Sequence, residues 1–299
     1  MNTTSPIVGT LFVITSAILF GIQPIFGTQL QMAGVDPIAL NAVRYSVPAL
    51  LLILLLFIRP IRGVRKRDMI CHGWLGLGFA SAGIGHYEAG FKIGFSLAVI
   101  LVFLFPVIVT LYSIFVLRLK TSRLQVIAMI TALLGLLLAL DIKTDIQNYT
   151  GIAWALLAAV STASLLIYRS HYAPDIDDRI SLTVCMIAAS LAIGIVILSK
   201  GAAFPATINA WCWNILLAII CGLLPIGLLM AGSRKIGALD ASTLSVLEPI
   251  VAIAVSILIL DDSASINTLL GGTLVIVSAV ILTRSRIKKA DLSGVVKLT

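Results

Sequence analysis

Three formally charged side chains interrupt the long charge-poor stretches of this 299-residue chain: Arg44, Glu88 and Glu248. An ionisable group at the centre of a membrane helix costs about 2.5–3.5 kcal/mol on insertion scales, so it faces a cavity or a partner. Glu248 is followed by Pro249, which removes a helix hydrogen bond and leaves a carbonyl free. A carboxylate beside a broken backbone bond can hold a proton or a cationic group, or lock neighbouring helices as half of an ion pair. Arg44 can clamp a carboxylate through two parallel N–H bonds. It can equally pair with an acidic side chain, take helix carbonyls or snorkel outward. Glu88 precedes Lys92 by four residues, the spacing of a helical ion pair.

Uncharged groups join these. His86 can take a proton or contact a ligand, or pack as a neutral ring between helices. Tyr87 follows it, and Trp154 is placed to wall a cavity. Gly21-Ile-Gln23-Pro24-Ile-Phe-Gly27 interrupts an apolar run with an amide, a proline and two glycines, the pattern of a pocket or hinge element. The substrate-path candidates are thus Glu248, Arg44, His86, Gln23, Trp154 and Tyr87. Pro24, Pro106 and Pro249 are the candidate helix-break and gating positions. No catalytic set is expected. The histidines and the four cysteines, Cys71, Cys185, Cys212 and Cys221, lack metal-ligand spacing, so neither a metal nor another cofactor is expected. The cysteines read as reduced packing residues. The glycines at 73, 76, 78, 83 and 85 follow no strand and form no Walker sequence. They predict close helix packing rather than ATP binding.

The elements that must position these residues follow from composition. The chain is 60% hydrophobic and 11% charged, with mean hydropathy +1.11; ordinary soluble domains carry about 25% charged residues. That excludes a water-soluble globule, and the apolar content excludes disorder. Charge-poor runs predict ten spans at 6–28, 37–58, 69–91, 95–117, 124–140, 151–168, 180–199, 211–233, 241–260 and 266–283. Each is near bilayer length. None alternates in polarity as a barrel strand does, so helices are the elements that satisfy the backbone in lipid. Met1–Ser5 lacks a basic region, so the first run is expected to span and stay rather than be cleaved. Even-numbered loops and the C-terminal tail hold 17 Lys and Arg, odd-numbered loops only Lys92, Lys143 and Lys200. By the positive-inside rule both termini are cytoplasmic. The net charge of +8 therefore reflects topology rather than nucleic-acid binding.

Lys92-Ile-Gly-x-x-x-Ala98-x-x-Leu101-x-x-Leu104-x-Pro106 recurs, offset by 143, as Lys235-Ile-Gly-x-x-x-Ala241-x-x-Leu244-x-x-Leu247-x-Pro249. Ser113, Ile114 and Leu117 match Ser256, Ile257 and Leu260, and Gly9 corresponds to Gly151. A five-helix unit is used twice, residues 1–146 and 147–299. Five is odd, so the second copy is inverted, the arrangement of transporters that alternate access. The fold class expected is an all-α polytopic membrane protein of ten transmembrane helices in two inverted five-helix repeats.

Ten spans in this order, Pro106 within the fourth, Ser245-Val-Leu-Glu-Pro-Ile250 in the ninth and Leu40-Asn-Ala-Val-Arg-Tyr45 in the second resemble the drug/metabolite transporter superfamily, EamA type. The likeness covers nearly the whole chain. Two places depart from it: Arg118 and Asp261-Asp262 stand where relatives often carry a Glu, and Gly94-Phe-Ser-Leu97 replaces a small polar cluster. The resemblance implies a secondary carrier, a permease or efflux protein of the cytoplasmic membrane. It implies small organic substrates such as amino acids, metabolites or drug-like compounds, and a central path lined by spans one to four and six to nine. The expected partners are that substrate, membrane lipid and a candidate coupling proton, without nucleic acid or ATP. The competing readings are an integral-membrane enzyme, which needs catalytic groups clustered at one interface, and a non-transporting assembly subunit.

Overall fold

The computed structural model describes residues 6–58, 65–116, 118, 123–139, 148–174, 176–236, 244–245, 247–261, 265–267, 269–278 and 280–281. Among them are helices and no strands. In chain order these are α1 (Pro6–Gly21), α2 (Gln23–Met32), α3 (Pro37–Ile58), α4 (Lys66–Ile93), α5 (Phe95–Val102), α6 (Phe105–Phe115), α7 (Arg123–Ala139), α8 (Tyr149–His171), α9 (Asp178–Lys200), α10 (Ile208–Ala218), a π-helical turn (Ile219–Leu223), α11 (Leu224–Ile236), α12 (Leu247–Leu258) and α13 (Leu269–Ser278). Among the described residues six stretches are long and apolar enough to cross a membrane: Ile7–Met32, Pro37–Ile58, Phe95–Tyr112, Tyr149–Arg169, Asp178–Lys200 and Ile208–Leu229. Shorter apolar helices stand where the fifth, ninth and tenth spans are expected. The expected third span lies in α4, whose 28 residues reach about 42 Å but are less apolar. Its position explains the difference. α4 packs against α3, α5, α8 and α9, so little of it needs to match lipid.

Glycine makes that central position possible. A Cβ on Gly76 would strike the Cys185 carbonyl, one on Gly83 the Tyr45 hydroxyl, and one on Gly85 would stand 2.7 Å from the Trp154 carbonyl. Gly78 lies against Leu165, whereas Gly73 meets nothing within 4 Å. Four of the five glycines read as packing residues therefore make a close approach.

Two helices break where proline demands it. Pro24 opens α2 after Ile22, and Pro106 opens α6 after the turn at Phe103 and Leu104. Pro249 is the third residue of α12, and the Glu248 N–H reaches only three residues back, to the Ser245 carbonyl at 3.0 Å. A fourth break has no counterpart among the expected positions. The eighth span runs through the π-helical turn that ends two residues before Pro225.

The two halves touch reciprocally. Gly9 packs on Lys235 and Ile236; its counterpart Gly151 packs on Lys92 and Ile93, the counterparts of those two. Gly135 packs on the Gly271 carbonyl, while Ser278, the equivalent of Gly135, donates to the carbonyl of Ala128, the equivalent of Gly271. At one end of the bundle the Asp36 N–H donates to the Ala203 carbonyl at 3.0 Å, and the Ala203 N–H donates back to Asp36 Oδ2 at 2.7 Å. Gln31 donates to the Phe91 carbonyl and Asn148 to the Lys92 carbonyl at that same end.

Polarity is arranged inside out. Leu198 is 89% exposed and Ile208 85%, whereas Asn41, His72 and Asn214 are fully buried. Water would penalise that surface; hydrocarbon does not.

Candidate functional site

Arg44 is the most informative side chain in the bundle. It is the eighth of the 22 residues of α3 and is 8% exposed. Its Cζ lies over the Tyr87 ring at 5.4 Å and over the Tyr45 ring at 5.7 Å, within cation–π range. Nη2 donates to the Cys221 carbonyl at 3.4 Å, and Nε is buried without a hydrogen-bond partner. No ion pair among the described residues includes Arg44. Glu248, on α12, is half-buried and within electrostatic reach of the guanidinium but not in contact with it.

The sequence explains why a carbonyl waits for Arg44. In a helix, the N–H of residue 225 would bond the carbonyl of Cys221. Pro225 has no N–H, and the chain relaxes into a π-helical turn in which the Leu224 N–H reaches Ile219 instead. Such turns recur at functional positions. The same logic operates at Pro24, which orphans the Phe20 carbonyl. The Gln23 amide turns back and donates to that carbonyl at 3.0 Å. Its Oε1 then accepts from the Tyr87 hydroxyl at 3.3 Å. Two proline-freed carbonyls, one in each half, thus fix the two partners of the Arg44–Tyr87 contact.

His86 completes the group. Its ring meets Tyr87 edge-on at 5.4 Å and Phe95 at 6.0 Å. Its Nε2 is buried without a partner, and the Arg44 charge reaches it. The structure therefore gathers Arg44, Tyr87, Gln23, His86 and Glu248. It sets Trp154 elsewhere, against Ala89, Ala98, Leu101 and Ala155. Glu88 forms the helical pair with Lys92 at 3.5 Å. Tyr45 belongs to the site as well, held by donation from its hydroxyl to the Phe79 carbonyl at 2.7 Å. The π-helical turn and the Cys221 carbonyl are the parts sequence reasoning missed, although Pro225, in the middle of an apolar span, was their signal. Among the described residues no cluster of His, Cys, Asp and Glu is arranged to hold a metal.

A family model described as the EamA-like transporter family matches residues 7–140 and again 149–284. The chain belongs to the EamA-like transporter family. Among curated proteins, this EamA-like chain is 23% identical over 312 residues to an uncharacterized transporter of Clostridium kluyveri, covering 96% of both chains. A solved crystal structure of a protein, 16% identical, superposes with a TM-score of 0.62 over 92% of this chain and 97% of its own, a likeness of fold alone. The two family matches fall on the two halves and divide between α7 and α8. This EamA-like protein is therefore a multi-pass membrane transporter in family terms, and its charged site draws on both family units.

Proposed function

We propose that this EamA-like protein is a secondary transporter that moves small organic solutes across the cytoplasmic membrane by alternating access. The observation that carries the reading is the meeting of both halves at one buried cation. Arg44 and Tyr87 come from the first half, the Cys221 carbonyl and Glu248 from the second. Any rocking of one half against the other changes the surroundings of Arg44, which is what a carrier needs at its binding site. The matching contacts of the equivalent positions, Gly9 on Lys235 and Ile236 against Gly151 on Lys92 and Ile93, and Gly135 on Gly271 against Ser278 on Ala128, support two inverted five-helix repeats exchanging conformations.

The 17-to-3 distribution of Lys and Arg supports cytoplasmic termini and an outer position for the Asp36–Ala203 end. On this reading the structure is tied shut outside. The ionisable groups of α3, α4 and α12 meet inside the bundle rather than at one membrane interface, which favours carriage over an enzymatic role. The test is solute flux into proteoliposomes of purified protein. Saturable uptake or counterflow supports the proposal; unsaturated conductance, or chemical conversion of the solute without movement, refutes it.

A further inference from the structure

We infer that the Arg44 site takes a small organic monocarboxylate, bound by the Arg44 guanidinium and the His86 imidazole against the Tyr87 ring. This rests on the transport reading only for its biological use; the binding chemistry stands on the geometry. Arg44 is more than nine-tenths buried, yet its one hydrogen bond among the described residues is a long one, to Cys221, and Nε–H has no partner. A buried guanidinium ordinarily satisfies several of its five donors. The aromatic rings of Tyr45 and Tyr87 stabilise the charge without accepting those in-plane hydrogen bonds. The missing partner is therefore an acceptor, and a carboxylate is the one whose two oxygens match a guanidinium edge.

The second orphaned atom points the same way. His86 Nε2 is buried, unbonded and within reach of the Arg44 field. Its neighbours are the Tyr87 and Phe95 rings, which offer it no acceptor. Carrying the proton there, Nε2–H supplies a further donor to an anion. Glu248 is the acidic group within electrostatic range of Arg44. It senses Arg44 without touching it, so it does not take the place of the missing acceptor, and a second anionic group on the ligand would be driven toward it. Tyr87, Phe95 and Phe26 form an apolar cluster that suits a flat or aliphatic body. A neutral carbonyl would accept from one donor without countering the charge, and an amine would be repelled by it.

The test is ligand-induced thermal stabilisation of the purified full-length protein in detergent. The probes are benzoate, benzamide, benzylamine and phthalate. A ligand that binds the folded state alone raises Tm with its concentration. Benzoate is expected to raise Tm, phthalate and benzamide less, benzylamine not at all. Arg44→Lys keeps a cation that can still reach Cys221 but loses the planar fork, and should weaken benzoate about tenfold or more. His86→Phe keeps ring packing and removes only the donor; it should weaken benzoate in the same direction even if the Arg44 variant does not fold. Equal stabilisation by benzamide, stabilisation by benzylamine or phthalate above benzoate, no response to benzoate, or a wild-type response in both variants overturns the inference. Flux of the same four probes into proteoliposomes separates this from the transport reading. Benzoate binding without flux of any solute leaves the site standing and removes carriage. Flux of amines or amides with no carboxylate preference leaves carriage standing and removes the site.

Discussion

At the scale of single residues, the site is a set of polar atoms given direction by prolines. Pro24 and Pro225 each free a carbonyl, and those carbonyls orient Gln23 and Arg44. Glu248 is the charge that faces Arg44 without touching it. Glu248→Gln keeps size and much of the hydrogen bonding while removing the charge. We expect it to insert and fold but to slow transport per inserted molecule roughly tenfold, the effect of about 1.4 kcal/mol on the barrier once the charge acting on Arg44 is gone. Transport by equal amounts of inserted protein, measured across pH, checks this. An unchanged rate and pH profile would make the carboxylate structural. Tyr87→Phe removes the donor to Gln23 and keeps the ring under Arg44. Its stability loss should be small, about 0.6 kcal/mol as for other interhelical hydrogen bonds in membranes, read as a slightly lower Tm. The charged members of this site were legible in the sequence because charge is rare in such a chain. Which partners they meet was not, because that depends on long-range helix packing; Trp154 carries the same aromatic signal as Tyr87 yet packs away from Arg44.

At the scale of elements, helix identity and approximate bounds were legible from hydropathy, and three of the helix breaks from proline. The π-helical turn was harder to read. Proline announces a lost hydrogen bond, but whether the helix kinks, stops or widens depends on what can occupy the freed carbonyl. Here Arg44, 177 residues away, occupies it. Pro225→Ala supplies the missing N–H, lets Cys221 bond within its own helix and should straighten the span. The expected outcome is a higher Tm with slower flux, because Arg44 then loses its anchor. A variant with wild-type flux would show the turn to be incidental. α4 illustrates the opposite limit. Its glycines announced close packing, and Gly76 makes it against the Cys185 carbonyl. Gly76→Ala should cost about 1–3 kcal/mol by overpacking, visible as reduced Tm and yield. Gly73→Ala, which meets open space, should be nearly neutral.

At the scale of the whole molecule, the charge bias predicts that cysteines replacing Arg65 and Lys288 are labelled by an impermeant reagent only from the cytoplasmic side, in a cysteine-free background. Outside labelling of either refutes the topology. The reciprocal glycines make a sharper statement. A bulky side chain at Gly9 wedges α1 from α11, and one at Gly151 wedges α8 from the end of α4. On the proposed orientation these two seams lie at opposite membrane faces. Gly9→Leu and Gly151→Leu should therefore shift the accessibility of a reporter cysteine at Gln23 toward opposite sides, and equal shifts would count against an inverted pair. The exchanged contacts between α7 and α13, with Gly135 on the Gly271 carbonyl and Ser278 on the Ala128 carbonyl, have a consequence for how the molecule can be made. Each half carries the other's missing docking surface, so the covalent connection between α7 and α8 contributes mainly effective concentration. Two polypeptides, divided between residues 140 and 148 and synthesised separately in one cell, should find each other in the bilayer and rebuild the complete transporter.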